Sequence, residues 1–307
     1  MEVYERTIKR MKGEDLVKLA MALKIPLTEH RMETETLREL VEGELGRLNT
    51  EEGKERRRKL HNPAISIKGL VKRYGKKIAV NGLDLDVRPG EIVGLVGPNG
   101  AGKSTTLRVL TGIIRANSGL VYVDGHSIAG EPLEAKYRIG YIPEKPTCYP
   151  SLRVREYLTF IARVYGVPKH EALIRIAEYI DFFQLEELSK TYIANLSKGN
   201  LQRTLLAGIF VREPPFVLAF DEPMYGLDPR GAWSLKVLLR KLKSEGSAVL
   251  ISTHILEMAE GLCDRFVVID CGRAVGAGTL ERLKAQVSGA DSLEQVFLKL
   301  TGGIPEE

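Results

Sequence analysis

At 307 residues with 44% hydrophobic content, the chain has room for one large domain plus an appendage, or for two modest domains, around a substantial core. A formal charge of +5 permits contact with nucleic acid or an anionic membrane face but argues for neither. The opening MEVYERTIKRMKGEDL lacks a signal-peptide core, no apolar run nears the roughly 20 residues of a membrane span, and the scattered Cys148, Cys263 and Cys271 read as reduced cytosolic thiols.

Residues 1–50 read as a small all-α module. Leu16, Leu19, Ala20 and Leu23 fall at helical spacing, and Ile25-Pro26-Leu27 breaks that helix into an extended stretch. Leu37, Leu40, Val41, Leu45 and Leu48 mark a second helical face, with Thr34 or Thr36 as its candidate cap. A helix–extended-loop–helix of this kind resembles SAP-type and Rho N-terminal modules, many of which bind nucleic acid. Acidic and basic residues nearly cancel here, so a positive binding face is not evident and a docking or regulatory hairpin is the plainer reading. Residues 51–63 are a charged linker in which Arg56-Arg57-Arg58-Lys59 suits phosphates or anionic lipid heads, although most such runs are simply solvated.

The main domain is expected over 64–284. Ile65-Ser66-Ile67 and Leu70-Val71 alternate as a half-buried strand that ends at Tyr74-Gly75, and a second strand is centred on Leu83, Leu85 and Val87. The apolar run Ile92–Val96 then breaks into GPNGAGKST, which satisfies G-x-x-x-x-G-K-[ST] between a strand and a helix. Gly97, Gly100 and Gly102 let successive backbone N–H groups curl toward phosphate oxygens, with Pro98, Asn99 and Ala101 completing the turn. The helix that follows aims its positive pole at the same anion. Lys103 adds a point charge for the β- and γ-phosphates, and the Ser104 hydroxyl, with Thr105 behind it, is placed to ligate Mg²⁺. This loop binds a nucleoside triphosphate.

SGLVYVDGHSI (118–128) reads as another strand, and IGYIPE (139–144) as a short buried strand running into a loop. Residues 153–212 are mainly helical by periodicity. FVLAF (216–220), AVLIS (248–252) and RFVVID (265–270) are wholly apolar runs separated by helical segments, the mark of a parallel sheet covered on both faces. SLEQVFLKLTG (292–302) is one more amphipathic helix, within a C-terminal tail taken as 285–307.

Asp221 and Glu222 follow the first of those runs, at the strand end where α/β sheets bind ligands. Asp221 is placed to hold the Mg²⁺ shell opposite Ser104. Glu222 is the natural general base for a water attacking the γ-phosphate. His254, ending the next strand, can reach the γ-phosphate or that water. LSKGN (196–200) at a helix start makes a second anion nest. One phosphate does not need two cradles in one chain, so the second is expected to act on the nucleotide of another copy across a dimer.

On these motifs, in their order and spacing from Ala64 to Leu283, the sequence resembles the nucleotide-binding subunit of an ATP-binding-cassette transporter. The resemblance implies a P-loop NTPase cassette of α/β class, with a mainly parallel core sheet, an antiparallel β subdomain and a helical subdomain. It implies ATP as the nucleotide and Tyr74 as the aromatic that stacks on adenine. Glu144 stands where the family usually has a glutamine at the Mg²⁺ and the membrane partner; it keeps a metal oxygen and adds negative charge. Lys198 and Asn200 depart from the usual LSGGQ, while Ser197 and Gly199 are retained to face the γ-phosphate in trans. Asp228, in Gly226-Leu227-Asp228, matches the loop through which two subunits sense each other.

YIPE, LSKG and the closing helix are similar to exporters of drugs, polysaccharides and lipids, which pair a separate ATPase chain with a separate membrane chain. The implied partners are a second nucleotide-binding subunit, identical in the simplest case, and an integral-membrane permease. The implied location is cytoplasmic, on the inner face of the cell membrane. The alternative is a soluble cassette ATPase acting on nucleic acid or ribosomes through residues 1–50. It is weakened by the single cassette and by the transporter-length interval between phosphate loop and signature. Residues 1–60 regulating the motor by docking onto it is compatible with either.

Overall fold

Apolar runs without alternation need cover on both faces, and that requirement organises the structure. The computed structural model describes residues 63–145, 147–212, 215–224, 226–287 and 289–302. The expected helical module of residues 1–50 and the linker before Pro63 lie outside them. The described residues fall into two compact units, one of residues 148–212 and one of residues 63–147 with 215–302.

The second, larger unit opens with β1 (Ile65–Tyr74), β2 (Lys77–Val87) and β3 (Ile92–Val96), followed by α1 (Lys103–Leu110), β4 (Ser118–Val123) and β5 (His126–Ser127). Next come α2 (Pro132–Arg138) and β6 (Ile139–Ile142), and the chain then passes to the helical unit with α3 (Val154–Val164), α4 (Lys169–Phe182) and α5 (Lys198–Val211). The larger unit resumes with β7 (Val217–Asp221), α6 (Pro229–Ser244), β8 (Ala248–Thr253) and α7 (Leu256–Glu260). It ends with β9 (Arg265–Asp270), β10 (Arg273–Gly278), α8 (Leu280–Gln286) and α9 (Leu293–Leu300).

The six-stranded sheet has the order β10-β9-β3-β8-β7-β6, parallel throughout except for β10 at its edge. The period of two sends neighbouring side chains of β3 to opposite faces. Val93 and Leu95 join a cluster with Leu107 and Leu110 of α1 and with Ile65, Leu83 and Val121 of the antiparallel sheet β2-β1-β4-β5. Val96 instead joins Phe266, Val268, Leu283, Leu293 and Val296. The amphipathic helix read in 292–302 thus packs on the parallel sheet itself. The second strand starts earlier than its apolar centre suggested, at Lys77, because it hairpins directly with Tyr74.

Arg265 ties three strands together below this sheet. Its guanidinium donates to both carboxylate oxygens of Glu91, at 2.5 and 3.2 Å, and to the carbonyl of Asp86. Arg265→Met would leave Glu91 largely shielded from water without its cation, and is expected to lower unfolding stability by about 2 kcal/mol in a denaturant titration. Cys263 lies under Gly94, and burial pushes its thiol up to about 12, whereas Cys271 is exposed. A raised pKa keeps the unreactive thiol form dominant below roughly pH 11. At pH 8 an aromatic disulfide reagent is therefore expected to label Cys271 quickly and Cys263 only on unfolding.

In the helical unit, Phe210 of α5 packs against Tyr179 and Phe183, with ring centroids 5.8 and 6.4 Å away. A Cβ at Gly208 would sit 2.9 Å from the Tyr157 ring, so the absence of a side chain there sets how closely α5 approaches α3.

Candidate active site

The phosphate loop leaves β3 under backbone pressure from two sides. A Cβ on Gly97 would lie 2.3 Å from the carbonyl oxygen of Ile269, and one on Gly102 would lie 2.4 Å from that of Ala79. Gly102 also has φ +109°, a conformation that side chains rarely adopt. The turn after β9 clamps the loop in place. Gly272 N–H donates to Ala101 O at 3.0 Å, and Asn81 N–H donates to Gly272 O at 2.8 Å. Asn99 and Gly100 face solvent at the loop's crest, beside half-buried Pro98.

Helix α1 starts at Lys103 with no side-chain cap. The bond from Thr106 N–H to Gly102 O, at 2.9 Å, closes its first turn. The amides of Lys103, Ser104 and Thr105 therefore stand at the positive end of the helix without an i−4 carbonyl, which suits an anion. Lys103 Nζ folds back and donates to Gly97 O at 2.6 Å and Pro98 O at 3.1 Å. Burial lowers its pKa, against the opposing pull of Glu222, Asp221 and Glu144. The structure thus brings all three carboxylates within electrostatic reach of this lysine. Glu144 is the exposed one, on the loop after β6.

Parallel pairing of β7 with β8 sets Asp221 beside Ser252. Asp221 is buried, and its Oδ1 accepts from Ser252 Oγ at 2.5 Å. The next residue, Glu222, turns into the left-handed region at φ +51° while its N–H donates to Ser252 O at 3.1 Å. A glutamate in that region carries strain of about 1–3 kcal/mol, which the surrounding bonds must hold. Thr253 Oγ1 donates to Glu222 Oε2 at 3.1 Å, and His254 Nδ1 lies 2.8 Å from Glu222 Oε1. An ionised carboxylate only accepts, so the proton in that contact sits on Nδ1 and leaves Nε2 for another partner. His254 is half exposed; Nδ1 of its ring holds Glu222, and Nε2 is the atom that would address the γ-phosphate or its water.

Ser252 and Thr253 were not singled out from the sequence. Their signal was present as two hydroxyls ending a wholly apolar strand just before His254. The other expected site residues are placed as follows. Tyr74 ends β1 half exposed, with Lys72 Nζ 5.2 Å from its ring centroid. Asp228 caps α6, its Oδ1 accepting from Gly231 N–H at 2.7 Å. Ser197 caps α5 in the helical unit, its Oγ accepting from Asn200 N–H at 3.3 Å, with Lys198 and Gly199 in the first turn.

The second oxygen of Asp221, Oδ2, is buried without a hydrogen-bond partner, which fits a cation ligand. Among the described residues no three His, Cys, Asp or Glu side chains gather into a metal cage. An ion at Asp221 would therefore share the Ser104 hydroxyl and nucleotide phosphates, the oxygen set that Mg²⁺ takes. No helix among the described residues is long and apolar enough to cross a membrane.

A clamped phosphate loop at the head of a helix, with a buried aspartate and an oriented glutamate two strands over in the same sheet, defines a P-loop ATPase of cassette type. The family model for ABC transporters matches residues 80–225. The chain is 37% identical over 230 residues to Nod factor export ATP-binding protein I of Burkholderia orbicola (strain AU 1054), covering 75% of each protein. It superposes on the solved ATP-binding subunit of an ABC transporter with a TM-score of 0.73 and 34% identity, covering 77% of this chain and 99% of that one. A dimeric bacterial ABC transporter cassette matches with a TM-score of 0.65 and 25% identity, covering 70% and 98%. The chain belongs to the ABC transporter family. It is an ATP-hydrolysing, nucleotide-binding subunit of that family.

Proposed function

We propose that this ATPase subunit pairs with a second cassette and drives export through a separate membrane permease, on the inner face of the cell membrane. The observation behind the hydrolytic role is the carboxylate of Glu222, held on both oxygens by Thr253 and His254 beside Lys103 and Asp221. The likeness to an export ATP-binding protein over three quarters of each chain supports the export role.

In this reading Gly97, Pro98, Asn99, Gly100, Ala101, Gly102 and the first amides of α1 cradle the phosphates of ATP, and Tyr74 stacks on adenine. Lys103 exchanges its two loop carbonyls for β- and γ-phosphate oxygens. Ser104, Asp221 and Glu144 would hold Mg²⁺, which would supply charge neutralisation of the phosphates. Glu222 takes a proton from water as the water oxygen bonds to the γ-phosphorus and the bond to the ADP oxygen breaks. His254 fixes the carboxylate for that transfer. Ser197, Lys198, Gly199 and Asn200 address the nucleotide of the partner cassette, and Asp228 lies at the contact between the two.

The test is to express Glu222→Gln in the native host and fractionate the lysate in the presence of ATP. Recovery in the membrane pellet with a multi-span protein is the expected result and identifies the permease. Recovery with ribosomes or nucleic acid, and no membrane protein, overturns the export reading.

A further inference from the structure

The helical unit carries a groove of about 530 Å³ between α3 and the turn at Ser189 and Lys190. Arg153, Arg155, Arg163 and Lys190 line it against the single carboxylate of Glu156, and Phe160 lines it as well. Glu156 is already engaged, accepting from Arg153 N–H at 2.8 Å as the capping residue of α3. The Arg153 guanidinium is fixed too; it donates to Lys190 O at 2.8 Å and lies 4.7 Å from the Tyr192 ring centroid. Arg155 and Arg163 stand two turns apart on α3, and neither is ion-paired among the described residues. Phe160 is 38% exposed, and Tyr149, 53% exposed, meets it edge-on at 5.1 Å. An aromatic surface with unspent positive charge calls for an occupant that is both acidic and apolar.

The chain itself contains such a segment. Between residues 33 and 48, Glu33, Glu35, Glu39, Glu42 and Glu44 stand against only Arg38 and Arg47, although residues 1–50 as a whole are nearly neutral. Leu37, Leu40, Val41, Leu45 and Leu48 repeat at helical spacing. At about 3.6 residues per turn, Glu33 and Glu44 share the arc of Leu37, Leu40 and Leu48. The excess charge of the segment is opposite to that of the groove.

We propose that the acidic segment 33–48 docks in the groove of its own helical unit, with carboxylates on Arg155, Arg163 and Lys190 and leucines against Phe160 and Tyr149. The stretch from 49 to 62 joins it to Pro63 and can span about 45–50 Å when extended. Tethering also presents the segment at an effective concentration of order millimolar, ahead of any free competitor of similar affinity.

Zero-length carbodiimide coupling of the full-length protein tests this, because it joins a lysine amine only to a carboxylate already in contact. A mixture of ¹⁵N-labelled and unlabelled chains is used, with peptide mapping of Lys190. The expected product links Lys190 to a glutamate among residues 33–44 of the same isotopic chain. It should fall at least tenfold in Arg155→Glu/Arg163→Glu, in Glu33→Lys/Glu44→Lys, and in the wild type at 1 M salt, where the Debye length is about 3 Å. Combining both charge reversals should restore a link with its polarity exchanged, from the lysine introduced at position 33 or 44 to the glutamate introduced at position 155 or 163. The salt arm needs no substitution and so does not depend on a variant folding. Mixed-isotope products overturn the proposal in favour of a second copy. So does a link indifferent to salt and charge reversal, or a Lys190 that acylates freely yet joins none of these glutamates.

Discussion

Glu222→Gln is expected to cut kcat by at least about 100-fold while leaving ATP affinity within about twofold, the loss typical of removing a positioned general base. The amide preserves the frame around it. Its oxygen can accept from His254 Nδ1–H, and its NH₂ can donate to Thr253 Oγ1, whose hydroxyl is free to turn. Thr253 Oγ1 still has a lone pair for Ile255 N–H, which it holds at 3.0 Å. What disappears is the ability to take a proton. Steady-state phosphate release and equilibrium binding of a fluorescent ATP analogue measure the two halves separately. Hydrolysis within tenfold of wild type would move the base elsewhere in the site.

Gly102→Ala is expected to weaken ATP binding at least about 100-fold, through strain at positive φ of about 1–3 kcal/mol with a steric conflict added. The new Cβ would press on the Ala79 carbonyl, so either β2 or the phosphate loop must retreat, and the loop is the thinner of the two. Gly100→Ala is the control. It has φ +82° but meets nothing within 4 Å, so thermal unfolding should shift less for it than for Gly102→Ala. Equal shifts would show that backbone conformation alone, and not the close approach of β2, makes glycine necessary at position 102.

These two residues mark the limits of what the sequence disclosed. The phosphate loop was legible because few residue types let a backbone fold around an anion, and the strands on either side were legible because burial on both faces leaves no polar positions. The left-handed turn at Glu222 was not, since it depends on Ser252, a residue from another strand brought alongside by pairing. The same pairing makes Ser252 and Thr253 site neighbours; along the chain they are only two hydroxyls. Helix α2 escaped notice because Ala135 is its only buried residue, which leaves no periodicity to read. The packing of α9 against Val96 and Phe266 escaped for the opposite reason: its apolar face was plain, but its target was not.

Lys103 has a thermodynamic consequence of its own. With its ammonium bonded to the carbonyls of Gly97 and Pro98, Lys103 has two of its three donors engaged by the loop itself while keeping its charge. An incoming anion must outbid two hydrogen bonds before it gains the lysine. A lone phosphate must meet the lysine and the helix amides with one set of oxygens, whereas a polyphosphate can meet them with separate phosphoryl groups. The site thus sets an entry threshold that screens the cell's abundant small anions by the number of oxygens they bring at once.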